Sequence, residues 1–175
     1  MSGSNALAGR VWKFGDNINT DLMLPGPYLY RSAADQAKAV FINNRPEFLQ
    51  QMVQGDAIVA GANFGMGSSR PAARSLRNCG VGFVLAEAIN GLFFRNAVNH
   101  GLRAFECPGV SAAFDEGDKA ELDIESWTAT NTRTGQVLAV KPVPKILLDT
   151  MLSGGVLPML EAKGLIAPRP RSRPQ

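Results

Sequence analysis

Between residues 57 and 107 short, wholly apolar runs alternate with longer amphipathic ones, and this alternation constrains the fold more than any other feature. Ala57 to Ala60 (AIVA) reads as a strand buried on both faces, as does Val81 to Ala86 (VGFVLA), and Leu102 to Cys107 reads as the next strand. Between them lie two helical patterns. The first runs from Pro71 to Cys79 and stops at Gly80. The second, with apolar residues at 89, 92, 93, 97 and 98, closes at Asn99-His100-Gly101. Strand–helix–strand–helix–strand order implies parallel pairing, with helices covering the sheet.

The flanks are less regular. Gly9 to Phe14 alternates well enough for a first strand. Gly15 to Pro27 (GDNINTDLMLPGP) reads as a loop with one buried segment, with Thr20-Asp21 at its middle. Ser32 is a suitable N-cap for a helix over Ala33–Val40, and Pro46 opens another through Met52. After Asp118, the segment Ala120–Ile124 alternates as an exposed strand. Trp127–Val140 then reads as a hairpin around Asn131–Gly135. Lys145–Leu152 and Leu157–Gly164 are short helices separated by Gly154-Gly155. The sequence therefore predicts one domain over residues 1–167. The tail over 168–175, PRPRSRPQ, is too polar and proline-rich to pack and is expected to be disordered.

Residues 61–80, GANFGMGSSRPAARSLRNCG, connect the first buried strand to its helix. Gly61, Gly65 and Gly67 lead through Ser68 and Ser69 to Arg70. Pro71 then suits the first helical position, where a missing N–H costs nothing. A glycine loop feeding a helix N-terminus offers unpaired N–H groups at the positive end of a dipole, which is a ready-made anion site. Nucleotide motifs fail on residues. A Walker loop needs Lys where Ser68 stands, and a dinucleotide fingerprint needs Gly or Ala where Arg70 stands. No serine lies between spaced glycines, so a nucleophile elbow fails too.

A cradle for a small anion remains. Arginine suits bidentate grip on a carboxylate. A serine without an adjacent histidine can act as a base when helix N–H groups and a cation stabilise its alkoxide. The plainer alternative, that Ser69 or Arg70 caps the helix while the glycines make a tight turn, stays open on residues alone. His100, the one histidine, closes a predicted helix, where a cation or a donor to the last carbonyls is favoured. No Ser–His–Asp triad is required.

Charge and cysteine usage narrow the partners. The formal charge is +3, but Arg169, Arg171 and Arg173 carry all of it, so no nucleic-acid face is read. Cys79 and Cys107 lie too far apart in sequence for a CxxC pair and are too few to hold a metal cluster; reduced structural thiols in a cytoplasmic protein are expected. No basic segment leads into an apolar run at the N-terminus, and no run spans a membrane.

Four segments then carry a resemblance. GANFGMGSSRPAARSL resembles the glycine–serine–serine–arginine signature of the aconitase superfamily's swivelling domain. GDNINTDLMLPGPYL resembles the opening of small subunits of 3-isopropylmalate dehydratase and homoaconitase. AEAINGLFFRNAVNHGL and LSGGVLPMLEAKGLI resemble the following helix and the ending in the same family. They cover nearly the whole chain in the family's order.

The resemblance implies an α/β fold: a swivelling β/β/α domain with a mixed, partly parallel sheet flanked by helices. It implies a two-chain hydro-lyase whose large subunit holds a [4Fe–4S] cluster through three cysteines, with one iron open to substrate. By the same resemblance Ser68 matches the catalytic base and Arg70 the clamp on a substrate carboxylate, with Ser69 and Gly67 beside them. Asp21, with Thr20, matches an active-site threonine–aspartate pair. The implied reaction is anti elimination and re-addition of water through an alkene diacid.

Two departures stand out. Pro71-Ala72 follows the arginine where most members have Glu, which removes a carboxylate that would support Arg70. Tyr30-Arg31 lies in the loop aligned with the reader of the substrate's variable group, and suits neither an isopropyl group nor an extra carboxylate cleanly. A 2- or 3-alkylmalate, with 3-isopropylmalate first, is the expected substrate. Homoaconitate, citraconate and dimethylmaleate are alternatives within the same chemistry. Outside it stands a non-catalytic organic-acid-binding module, supported by the missing Glu.

Overall fold

The computed structural model describes residues 6–170. Its centre is a seven-stranded mixed sheet in the order β4-β3-β2-β1-β5-β6-β7. One half is parallel: β1 (Ala6–Lys13), β2 (Ala57–Ala60), β3 (Phe83–Ala86) and β4 (Ala104–Glu106). The other half continues antiparallel from the far edge of β1 through β5 (Lys119–Asp123), β6 (Thr128–Asn131) and β7 (Val137–Ala139).

The parallel strands step one way across the sheet, each to the next. Crossovers of one hand that step in one direction put their helices on one face. That face carries α1 (Thr20–Met23), α2 (Ala33–Ala37) and α3 (Glu47–Gln51) between the first two strands, then α4 (Ala72–Cys79) and α5 (Gly91–His100). Phe48, Ala72, Leu76, Phe93 and Ala97 from these helices share a core with Trp12, Ile58 and Val84 of the sheet. The opposite face is covered by α6 (Val110–Ala113) and α7 (Lys145–Leu152), where Val110 and Met151 meet Val59, Leu85 and Leu122. Coverage on both sides is why β2 and β3 are wholly buried and read as continuous apolar runs. The last helix, α8 (Val156–Ala162), packs against α5 and α7.

The glycine stops occur where they are expected. Gly80 and Gly101 follow α4 and α5 with φ of 112° and 70°. Ser32 caps α2 through Asp35 N, although that helix ends at Ala37 rather than Val40. Pro71 is the N-cap of α4 (φ −72°, ψ 37°) and not its first helical residue. Two readings need correction. The strand expected to be exposed lies between β1 and β6, with Ala120 and Leu122 fully buried. Residues 15–27 contain a helical turn, α1, capped by the Asn19 side chain on Leu22 N. The short helix α6 has no counterpart in the sequence reading. The expected hairpin forms, and Arg133 in its turn pairs with Asp115 and Asp118.

Of the expected disordered tail, Pro168–Pro170 are described, and Arg169 bonds the Glu161 carboxylate. Residues 171–175 lie outside the described residues, as do the first five of residues 1–10, on which the absence of a leader was read.

Candidate active site

All four parallel strands finish at one end of the sheet, and the glycine loop emerges there from β2. Crevices beyond the carboxyl ends of parallel strands are where open α/β folds bind ligands. The loop is stitched on both sides by backbone hydrogen bonds. Towards the chain after β1, Gly65 N bonds Ile18 O at 2.7 Å and Thr20 N bonds Met66 O at 2.9 Å. Towards the chain after β3, Phe64 N bonds Ala88 O and Asn90 N bonds Phe64 O. Gly65 (φ 81°) and Gly67 (φ 103°) adopt backbone that L side chains rarely take, and a side chain at Gly65 would also collide with the buried Phe93 ring. The glycines are therefore needed for both conformation and close approach.

The stitching gathers residues from two distant segments. Arg70 Nε lies 2.6 Å from Asp21 Oδ1 and 3.2 Å from Ser68 Oγ, while Nη1 donates to Leu24 O at 3.2 Å. Three acceptors thus aim one guanidinium, and its Nη2 has no protein partner among the described residues. Thr20, buried, donates its hydroxyl to Ser68 O at 2.9 Å and so fixes the backbone under the serine. Ser68 and Ser69 are exposed at the surface of the cradle, with Gly67 beside them. The carboxylate missing after Arg70 is supplied instead by Asp21, 49 positions earlier in the chain.

The capping alternative is not what the geometry shows. No side chain caps α4, so Ser69 and Arg70 leave its first N–H groups uncovered. The Ser69 hydroxyl instead accepts from Asn96 Nδ2 of α5 at 3.4 Å. Asn96 was not singled out in the sequence; its place on the same helix as Phe93, the residue under the loop, was the only available signal. Gln36 was missed too. Fully buried, it donates to Tyr28 O and Leu29 O and accepts from Arg74 of α4, so it ties the 26–31 loop to the helix behind the cradle.

Arg31 is not brought into the Arg70 cluster. It is exposed and lines a separate shallow cavity of about 410 Å³ with Pro27, Tyr28, Asp35 and Lys38, and the neighbouring Tyr30 is almost wholly exposed. His100 lies in the last turn of α5, where the sequence places it. Burial first, then Arg74 and Arg77, push its pKa below the ordinary 6.5. Burial pushes both thiols up to about 11. They occupy opposite faces of the sheet, and no group of three His, Cys, Asp or Glu among the described residues is placed to hold a metal ion. Among those residues no helix is long and apolar enough to cross a membrane.

Residues 18–108 match the family described as Aconitase C-terminal domain. The chain is 40% identical to the isopropylmalate/citramalate isomerase small subunit of Methanocaldococcus jannaschii, over 90% of this chain and 95% of that one. It is 39% identical to 3-isopropylmalate dehydratase small subunit 1 of Thermotoga maritima, over 90% and 96%. The fold is similar to a crystal structure of 3-isopropylmalate dehydratase from Methanocaldococcus jannaschii, with a TM-score of 0.86 at 30% identity, covering 91% and 96% of the two chains.

Proposed function

The chain belongs to the aconitase C-terminal domain family, among the small subunits of 3-isopropylmalate dehydratase, and from that premise we propose the role of each residue in its cradle. As a small subunit of this hydro-lyase it works in a heteromeric complex. The reaction proposed is interconversion of 2- and 3-isopropylmalate through the alkene diacid. Ser68 is the base. Its oxygen, as alkoxide, takes the proton from the substrate carbon, and the C–H electron pair becomes the alkene as the C–O bond breaks. The hydroxide leaves toward the Lewis acid that the large subunit's cluster would supply, and the proton returns on re-addition of water. Arg70 Nε, 3.2 Å away, favours negative charge on that oxygen.

The open Nη2 of Arg70 is the donor for a substrate carboxylate. Asp21 and the Leu24 carbonyl keep the guanidinium from turning. Gly67 and Ser69 complete the binding surface, Thr20 supports it from beneath through its bond to Ser68 O, and Arg31 meets the substrate's variable group when the two subunits close. This chain's described residues offer no ligand set for the [4Fe–4S] cluster, which we assign to the large subunit. Residence in the cytoplasm is part of the same proposal and agrees with two unpaired thiols.

The observation that carries the reading is one arginine held on three acceptors, with a serine hydroxyl among them and one nitrogen left open. It also supplies the carboxylate whose absence supported a non-catalytic module. The test is co-expression with the large subunit and a screen of alkene diacids by loss of ultraviolet absorbance. Turnover of isopropylmaleate above citraconate, dimethylmaleate and homoaconitate's alkene is expected. No turnover of any of them by an assembled complex would refute the reading.

A further inference from the structure

At the opposite end of the parallel sheet, below the amino ends of β2 and β3, lies a cavity of about 580 Å³ that the proposed reaction does not use. Arg77, in the last turn of α4, and Arg103, just before β4, both line it, and no Asp or Glu does. Neither guanidinium has a hydrogen-bonding partner among the described residues, and Arg103 Nε is fully buried. Gly154 lies against the Arg77 guanidinium; a Cβ there would stand 3.0 Å from Nη2. On the other side of Arg77 a second cavity carries Arg74, His100 and Arg169, again with no acidic lining.

Arg103 is half-buried and cannot shed its charge, and a partly desolvated charge without a partner is costly. The two helix ends offer little compensation. The terminal carbonyls of α4 at Leu76 and Arg77 already accept from Val81 N and Gly80 N, and each helix end is worth only about half a unit charge. The effect is visible in the neighbours: Arg103 is pushed below the ordinary arginine value by burial and by Arg77, and His100 by burial, Arg74 and Arg77.

We propose that the cavity between Arg77 and Arg103 is a second anion site, remote from the cradle, that takes a small multivalent oxyanion. Its donors are the guanidinium forks of Arg103 and Arg77, with Gln54 and Asn78 on its wall. The chemistry that fits is a phosphate-type or polycarboxylate group, since both present several oxygens to two forks.

The chain has one histidine, and it adjoins Arg77, so its ring proton resonance in the untagged full-length chain reports on this charge. The pKa of His100 is measured by NMR in sulfate, in citrate, and in sodium chloride at matched ionic strength. A saturable upward shift is expected, half-complete at about 1 mM or below. Arg103→Gln and Arg77→Gln should each weaken it by about tenfold. Arg70→Gln, at the cradle, should leave it unchanged. A shift in sulfate alone assigns a phosphate-type ligand, and a shift in citrate a polycarboxylate. An equal shift in chloride, or one that survives both substitutions, overturns the proposal. Arg77 is exposed, so Arg77→Gln decides the matter should Arg103→Gln fail to fold.

Discussion

Helix α4 has an arginine at each end of its span, and the two are provided for in opposite ways. Arg70, just ahead of the N-terminus, meets a carboxylate, a hydroxyl and a carbonyl, and only one nitrogen remains open. Arg77, in the last turn, meets no acceptor among the described residues and faces a second unpaired guanidinium, Arg103, across a cavity. The first arrangement fixes direction: a group that must act on one carboxylate beside one hydroxyl loses rate with small misplacement. The second holds charge without fixing direction, which suffices to attract a counter-ion but not to orient a reaction. One short helix thus separates a built site from an electrostatic well.

The comparison breaks most decisively at the cradle's hydroxyl. Ser68→Ala in the assembled complex should lower kcat by about 10²–10⁴, the range that a positioned base supplies. The hydroxyl is exposed, so the melting temperature should hold. Turnover within a few-fold of wild type would remove the serine from the reaction and leave the two ends of α4 alike. Next in size is Gly65→Ala, which forces a side chain into left-handed backbone and against Phe93. A loss of about 3 kcal/mol in urea unfolding is expected from strain and overpacking together. A smaller loss, with the cradle intact, would mean that the stitching and not the glycine holds the loop.

How much of this was legible in the sequence follows from how local each feature is. The ends of α4 and α5 depend on Gly80 and Gly101, and those signals sit next to the structure they end. The strand over 119–123 shows period two, but period two says only that one face is buried. It does not say that β1, itself paired on its other edge, would take it as a neighbour. α1 is four residues long and held by the Asn19 cap and by contacts with the glycine loop, so it has too little periodicity to see. Ser68, Ser69 and Arg70 stood out because they are consecutive. Thr20 and Asp21 entered only through resemblance, because the contact that joins Asp21 to Arg70 crosses 49 residues. Gln36 left no trace, and Asn96 only its place on the helix of Phe93, since an amide's role is set by what surrounds it.

Finer changes test how Arg70 differs from a bare charge. Arg70→Lys keeps the charge but loses the planar fork, and should cost about 10–100-fold in kcat/KM, or roughly 1.5–3 kcal/mol of hydrogen bonding to a charged group. Were the cradle only an electrostatic well, lysine would serve nearly as well. Asp21→Asn should act more weakly. The Asp21 carboxylate is 61% exposed, so its pairing adds little to folding. The loss expected is about three- to tenfold in kcat/KM, from poorer aim of the guanidinium, with unfolding unchanged within about 0.5 kcal/mol. A large loss of stability would show that the pair holds the fold and not the substrate.

The smallest effect probes the other end. His100 has a folded pKa below 6.5, through burial first and then Arg74 and Arg77. Between that folded value and 6.5 the unfolded chain binds more protons than the folded one, so stability rises with pH across the window and is flat in this group below it, where both states carry the proton. The free energy of urea unfolding, followed from about pH 7 to pH 5, should therefore slope less in His100→Gln than in wild type. Arg77→Gln should remove part of the same slope, leaving the share due to burial and Arg74, whereas Arg70→Gln should remove none. If both arginine substitutions changed the slope alike, the field at His100 would belong to the chain's overall charge. If only Arg77→Gln does, that field is local to the end of α4 where no acid answers it.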